Sequence, residues 1–221
     1  MSVGNGTQLR GVITDWGGVL TIPILATVQA WIKADEIDWD SYRTVMRSWV
    51  SQAYDVDASP NPIHALERGE CEATEFEQIL AARLLRVDGG PVAAEGLLQR
   101  MFAASVTVPA MYDLIRTLRG AGLRTALLSN SWGAGEYPRA DFAELFDVVV
   151  ISGEVGMRKP EEAIFLHAAR ALGLAPAECV FIDDMQANVT AAAALGMTGV
   201  LHNDPATTVA ALHDLLGVTT R

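Results

Sequence analysis

The chain has 221 residues, half of them hydrophobic and 19% charged, which predicts a soluble globular protein with one large domain, or with a domain that carries an insertion. Its net charge is -11 and its only lysines are Lys33 and Lys159, so it lacks the basic surfaces that nucleic acids and anionic membranes require. No apolar run approaches the roughly 18 residues of a membrane span.

The N-terminal ten residues lack the apolar segment of a signal peptide. The two cysteines are too few for a disulfide framework, and we expect Cys179 to be buried at the start of a strand. These features predict a cytoplasmic protein with no nucleic-acid or membrane partner.

Short apolar runs alternate with helical patterns along much of the chain, which predicts a parallel α/β sheet. Each run is apolar throughout, as expected for strands that are covered on both faces. The predicted strands are Val12–Thr14, Arg124–Leu128, Val148–Ile151, Cys179–Ile182 and Thr198–Leu201.

Residues 22–105 differ in character, because they contain no convincing strand and predict four or five helices. These helices are Ile24–Ala34, Trp39–Tyr54, Pro62–Arg68, Thr74–Leu85 and Val92–Ala104. Thr74 followed by Glu77 predicts a capping box at the start of the fourth helix. Since this stretch follows the first strand directly, we expect a helical subdomain inserted into a core of residues 1–21 and 106–221.

Proline and glycine mark the ends of the helices predicted after residue 105. The first of these helices starts at Pro109 and ends near Gly120 or Gly122. The second has Pro160 in its first turn and ends at Gly173, and the third starts at Ala187 and ends before Gly196.

Four polar clusters lie at the ends of these elements. Asp15 and Ser129 follow the first and second strands, Asp183 and Asp184 follow the fourth, and Lys159 precedes a helix. In open α/β sheets, ligands bind beyond the carboxyl ends of the strands, near the point where the strand order reverses. The sequence therefore predicts one site at this edge of the sheet.

The chemistry of the acidic residues suits phosphoryl transfer. A carboxylate such as Asp15 can attack phosphorus, although an aspartate after a strand can also simply cap a loop. The adjacent carboxylates Asp183 and Asp184 repel each other unless a cation neutralises them. Together with Asp15 they form an oxygen-rich site that suits Mg²⁺.

The order and spacing of the four clusters resemble those of the haloacid dehalogenase-like superfamily over residues 10–203. The segments most similar to bacterial glucose-1-phosphatases and to the N-terminal phosphatase domain of soluble epoxide hydrolases are Leu66–Glu70, Leu128–Trp132, Val155–Glu161 and Phe181–Asn188. The resemblance implies a Rossmann-like core with an all-helical cap as a lid over the active site. It also implies a phosphatase of a small phosphorylated metabolite.

The resemblance gives the catalytic and phosphate-binding residues their roles. Asp15 would be the nucleophile that forms an aspartyl-phosphate. Lys159 would neutralise charge on the nucleophile and on the transferred group. Ser129, the backbone N–H of Asn130 and Gly18 would bind the phosphoryl oxygens together with Lys159.

The resemblance also implies a Mg²⁺ site. Asp15, the carbonyl of Gly17 and Asp184 would be the ligands. Asp183 would complete the acidic set and orient Lys159 or a metal-bound water.

Gly17 departs from the phosphatases of this family. Where they have Asp-x-Asp-Gly, the chain has Asp15-Trp16-Gly17-Gly18. The missing second aspartate protonates the leaving oxygen and later activates water in those enzymes. Loss of a positioned acid or base typically lowers the rate by about 10²–10⁴, and by less when the leaving group is already good.

Two other classes of function stay open from the sequence. Haloacid dehalogenases and phosphonatases also lack the second aspartate. Haloacid dehalogenases need no Mg²⁺, so the presence of the acidic pair Asp183–Asp184 counts against that class. Phosphonatases need a Schiff-base lysine, for which Lys33 is the only candidate in the insertion. A catalytically degenerate binding protein is the other class, and it would need neither Asp15 nor Lys159. No pattern in the chain sets the substrate or the oligomeric state.

Overall fold

The computed structural model describes residues 8–52, 61–133 and 137–217. Its centre is a five-stranded parallel sheet. The strands are β1 (Gly11–Thr14), β2 (Arg124–Ser129), β3 (Val148–Ile151), β4 (Cys179–Asp183) and β5 (Thr198–Leu201), in the spatial order β3-β2-β1-β4-β5. Each predicted strand is confirmed to within one residue at either end. The predicted α/β class is confirmed as well.

Helices cover both faces of the sheet. They are α6 (Pro109–Gly120), α7 (Arg139–Leu145), α8 (Ser152–Val155), α9 (Glu162–Leu172), α10 (Gln186–Ala194) and α11 (Pro205–Leu216). One apolar cluster, with Ile115 and Leu212, packs on one face, and a second, with Phe165 and Phe181, packs on the other. Double coverage explains why apolar and polar residues do not alternate along the strands. Cys179 is buried at the start of β4, as expected.

The start of α9 differs from the prediction. Its N-cap is Glu161, so Pro160 lies before the helix and not in its first turn. A turn closed by the hydrogen bond from the Glu161 N–H to the Arg158 carbonyl occupies this position.

Residues 22–105, which we call the helical insertion, contain α1 (Ile24–Ala34), α2 (Trp39–Gln52), α3 (Pro62–Glu67), α4 (Ala73–Ala81) and α5 (Leu97–Phe102). They share a separate apolar cluster, whose buried members include Trp31, Phe76 and Leu97. Each such side chain contributes about 1.5–3 kcal/mol when it is fully buried. The insertion thus has a core of its own, as the predicted subdomain requires, while its exact boundaries stay a prediction.

Both ends of the fourth and of the fifth helix in the insertion differ from the prediction. The predicted end of α2 at Tyr54 lies outside the described residues. Helix α4 starts one residue before Thr74 with Glu72 as its N-cap, so there is no capping box. Glu77 accepts the N–H of Leu98 instead (2.9 Å). Helix α4 ends at Ala81 and not at Leu85, which forms a bridge with Pro91 instead. Helix α5 runs from Leu97 to Phe102, after a turn in which the Leu97 N–H donates to the Ala94 carbonyl (3.0 Å).

The chain enters and leaves the insertion through two paired segments, residues 20–22 and 106–108. Thr21 and Thr107 form an antiparallel bridge. The N–H of Ile22 donates to the carbonyl of Val106 (3.0 Å), and the N–H of Val108 donates to that of Leu20 (2.8 Å).

None of the helices in the described ranges is long and apolar enough to cross a bilayer.

Candidate active site

The strand order reverses between β1 and β4, and the acidic residues meet at this point. Asp15 directly follows β1, Asp183 ends β4, and Asp184 comes next. Each of the three contributes a carboxylate oxygen to a group whose members all lie within 4.8 Å of one another. The sheet topology thus brings together residues that are about 170 positions apart in the sequence, as the pattern of strand ends predicts.

Lys159 lies between two of these carboxylates. Its side chain is 1% exposed, and Nζ is 2.8 Å from Asp15 Oδ1 and 2.7 Å from Asp183 Oδ2. Although burial alone would lower the pKa of Lys159, the two carboxylates outweigh it and raise this pKa above its ordinary value. The ammonium group therefore stays charged beside the candidate nucleophile.

Asn130 holds the backbone of Lys159. Its Oδ1 accepts the Lys159 N–H (2.9 Å), and its Nδ2 donates to the Lys159 carbonyl (3.0 Å). The sequence predicted a role for the backbone N–H of Asn130, whereas this positioning role of the side chain was not predicted.

Asp183 is fully buried and hydrogen-bonded at both oxygens. Oδ1 accepts the N–H of Met185 (2.8 Å), Oδ2 accepts from Lys159, and Nδ2 of Asn188 lies within 3.1 Å of each oxygen. This arrangement favours the role of orienting Lys159. The role of Asn188 was missed by the sequence analysis, although a buried amide in the first turn after a strand-end aspartate is a signal for it.

Asp15 has one carboxylate oxygen fixed and the other available. Oδ1 accepts the N–H of Trp16 (2.7 Å) and the ammonium of Lys159, while no donor among the described residues reaches Oδ2. Burial raises the pKa of Asp15 above its ordinary value, against the opposing charge of Lys159. Burial, with the negative charge of Asp183, likewise raises the pKa of Asp184 to about 6.

These pKa directions show that the acidic group fits a divalent cation. Carboxylates that burial and mutual repulsion push toward the neutral form regain their charge when a cation is placed among them. Oxygen donors are also the ligands that Mg²⁺ prefers.

The two glycines after Asp15 serve different needs. Gly18 has φ +79°, and a Cβ there would lie 2.2 Å from Asp184 Oδ2, so a side chain is excluded by both conformation and space. Its N–H donates to Thr21 Oγ1 (3.2 Å). A Cβ at Gly17 would meet only the flexible end of Ile24, at 2.7 Å from Cδ1, and its φ is not positive.

Ser129, at the end of β2, is 3% exposed and its Oγ lies 3.0 Å from the Tyr137 hydroxyl. Burial raises the pKa of Tyr137 to about 12, so its hydroxyl stays protonated. No sequence pattern had pointed to Tyr137.

A cavity of about 750 Å³ lies between this site and the helical insertion. From the core it is lined by Gly17, Ser129 and Asn130, and from the insertion by residues of α1, α4 and α5. Trp16 and Trp132, which adjoin the motifs, both form part of its wall. The volume lies within the range of small-molecule sites, roughly 300–1,000 Å³.

The insertion is also anchored to the core next to Lys159. Glu67, at the end of α3, accepts from the guanidinium of Arg158 with a distance of 2.5 Å between Oε2 and Nε. Both side chains are buried. The carbonyl of Glu67 also accepts from the hydroxyl of Ser152.

The haloacid dehalogenase-like hydrolase family matches residues 9–196, and the chain belongs to it. The relatives that match at the sequence level include the following three. Acyl-CoA dehydrogenase family member 10 of Mus musculus is 30% identical over 96% of this chain and 20% of its own length. Bifunctional epoxide hydrolase 2 of Sus scrofa is 25% identical over 95% of this chain and 39% of its own. A sesquiterpene phosphatase of Aspergillus oryzae is 33% identical over 48% of this chain and 56% of its own.

The chain thus spans only about one fifth to just over half the length of these relatives. The match to epoxide hydrolase 2 agrees with the resemblance noted in the sequence. Among solved structures, a HAD family enzyme of Bacteroides thetaiotaomicron in complex with magnesium and inorganic phosphate superposes with a TM-score of 0.58. It covers 87% of this chain and 93% of its own at 21% identity, which establishes the shared fold.

Proposed function

We propose that this protein is a Mg²⁺-dependent phosphatase of a small phosphorylated metabolite and that it acts through an aspartyl-phosphate. The observation that carries the proposal is the geometry of Asp15. Lys159 and the Trp16 N–H hold Oδ1, while Oδ2 is left for attack on phosphorus.

The chain's own residues account for binding and positioning. Lys159, oriented by Asp183 and Asn130, balances charge on the transferred group. The hydroxyl of Ser129 and the N–H of Asn130, two residues that line the cavity, donate to the phosphoryl oxygens. Gly18 stays a candidate for the same role from the sequence, although its N–H donates to Thr21 Oγ1 in the structure. The leaving group then occupies the cavity.

Asp15, the Gly17 carbonyl and Asp184 would hold the Mg²⁺ ion. When bound, the ion supplies positive charge that would reduce the repulsion between the phosphoryl oxygens and the carboxylate nucleophile. Support comes from the fit of the acidic group to a cation. It also comes from the fold shared with an enzyme crystallised with magnesium and phosphate.

The names of the relatives support phosphoryl chemistry only in part. One of them is a sesquiterpene phosphatase, which matches about half of this chain. A small-molecule substrate in the cytoplasm stays our expectation from the sequence.

The experiment is a screen of phosphate monoesters with and without Mg²⁺, using wild type and Asp15→Asn. We expect Mg²⁺-dependent release of phosphate from wild type and none above background from Asp15→Asn, which keeps the shape of the side chain. Turnover by Asp15→Asn at the wild-type rate would exclude the covalent route. A matched control is Asp40→Asn, which changes an exposed carboxylate on α2.

Dehalogenation is the second candidate, because the absence of an aspartate at position 17 is shared with that branch. Release of halide from 2-haloacids without Mg²⁺ would favour it. The phosphonatase alternative loses its lysine, since Lys33 is exposed on α1 and is not among the residues that line the cavity.

A further inference from the structure

The cavity has an unusual distribution of charge for a site that takes phosphate esters. Among the described residues that line it, Glu77 of α4 carries the only formal charge, and none is lysine, arginine or histidine. A second phosphate or a carboxylate on the leaving group would therefore have no cation to bind and would be repelled by Glu77.

The side chain of Glu77 is held in place, with one oxygen left for a ligand. The residue is only 6% exposed, and Oε1 accepts the N–H of Leu98, which fixes the rotamer. Oε2 has no donor among the described residues. Oε2 is not among the enclosed polar atoms without a partner in the described part of the chain, so it keeps contact with solvent. Because Glu77 lines the cavity, this oxygen is available to a ligand there.

A hydrocarbon leaving group that filled the cavity would seal this oxygen away from water without a partner. Burying an unpaired charged acceptor is unfavourable by more than the net gain from an ordinary hydrogen bond. The leaving group must therefore bring its own donor to Glu77.

The walls of the cavity indicate which donor fits best. Two edge-to-face aromatic pairs contribute to the lining, Trp16 with Tyr137 and Phe102 with Trp132, at centroid distances of 5.7 and 6.0 Å. Aromatic rings attract cations, and a carboxylate that lines the same cavity adds a charge-assisted hydrogen bond. A hydroxyl would satisfy Glu77 but would gain nothing from the rings.

We infer that the preferred substrate is the phosphate monoester of an amino alcohol, whose ammonium group binds Glu77 within the aromatic walls. This inference rests on the proposed phosphatase function and makes Glu77 its specificity-determining residue.

The test is a comparison of four short-chain esters of matched length that end in ammonium, hydroxyl, methyl or carboxylate, repeated over several chain lengths. We expect kcat/KM to fall in that order, with the ammonium ester about tenfold or more above the methyl ester, the size of one charge-assisted hydrogen bond. A methyl or carboxylate ester that equals or exceeds the ammonium ester at every chain length would overturn the inference.

Glu77→Gln tests the residue, because its amide oxygen can still accept from Leu98 while the charge is removed. The ammonium-to-methyl ratio of kcat/KM should fall about tenfold in this variant. The ratio should persist in Glu75→Gln, which changes an exposed carboxylate on the same helix. An unchanged ratio in a folded Glu77→Gln protein would overturn the role of Glu77.

Loss of turnover on every ester, p-nitrophenyl phosphate included, would contradict the proposed phosphatase function and not this inference. Calorimetric binding to Asp15→Asn then decides it. Tighter binding of the ammonium ester than of the methyl ester supports the inference, and equal binding refutes it.

Discussion

Gly17 stands where the related phosphatases have a second aspartate, and the backbone there can accept a side chain if Ile24 shifts. Its φ is not positive, and a Cβ there meets only the end of the Ile24 side chain, which can move aside. Asp15, Lys159 and the acidic group are all present without it.

We predict that Gly17→Asp raises turnover most for alkyl phosphates, whose alkoxide leaving groups need a proton, and little for p-nitrophenyl phosphate. A gain of about tenfold or more for alkyl esters is expected from general acid catalysis. The measurement is kcat across esters whose leaving groups differ widely in pKa. Equal changes across the series would show that the proton comes from elsewhere.

Asn188 contacts the carboxylate of Asp183 and does not line the cavity. If Asp183 orients Lys159 as we propose, loss of Asn188 should affect turnover more than binding. We predict that Asn188→Ala lowers kcat by about 10- to 100-fold, as is typical when a partner that orients a site residue is removed. KM for the ester should change little. Gln186→Ala, an exposed residue on the same helix, is the control. Equal loss in both variants would assign the effect to the stability of α10.

At the scale of elements, the contact between α3 and the core is a buried ion pair. Glu67 and Arg158 expose 8% and 11% of their side chains, and Arg158 directly precedes Lys159 in the chain. Removing one partner of such a pair leaves the other charge buried and uncompensated.

We therefore predict that Glu67→Ala lowers the free energy of unfolding by about 3–5 kcal/mol, as measured by urea denaturation. The double replacement Glu67→Gln with Arg158→Met should recover most of this loss, because no lone charge stays buried. Arg43→Ala, which breaks an exposed pair with Asp40, should be close to neutral. A loss in Glu67→Ala no larger than in Arg43→Ala would contradict the role of the buried pair.

The elements that the sequence predicted well are those whose signal is local. The strands are mainly apolar without alternation because both faces of the sheet are covered, and each predicted strand agrees with the structure to within one residue at either end. The capping box at Thr74 failed because Glu77 uses its carboxylate on a different helix, through Leu98, a contact 21 residues away that no local pattern shows.

The same division holds for the site. Asp15, Ser129, Lys159 and the Asp183–Asp184 pair could be predicted, because strand ends meet at one edge of a parallel sheet. Tyr137 and Glu77 could not, since the first sits in a loop and the second on a helix whose placement depends on tertiary packing.

For the whole molecule, the net charge of -11 opposes the approach of an anionic substrate. We predict that raising the ionic strength from about 0.01 M to about 0.15 M, which shortens the Debye length from about 30 to about 8 Å, raises kcat/KM for p-nitrophenyl phosphate. The assay holds Mg²⁺ at saturation, and kcat should stay constant. A fall in kcat/KM would mean that the local field of Lys159 and the metal outweighs the global charge.

The antiparallel pairing of residues 20–22 with 106–108 has a consequence for how such a chain can change its length. The two ends of the insertion are already tied together by hydrogen bonds, so whatever lies between them closes a loop that is anchored at its base. Each doubling of the length of a closed loop raises the entropic cost of closing it by only about 0.6 kcal/mol. The strands on either side would keep their register if a shorter or longer helical segment replaced the insertion at this junction. Exchange of this one segment could thus change which substrates reach the residues at the strand ends.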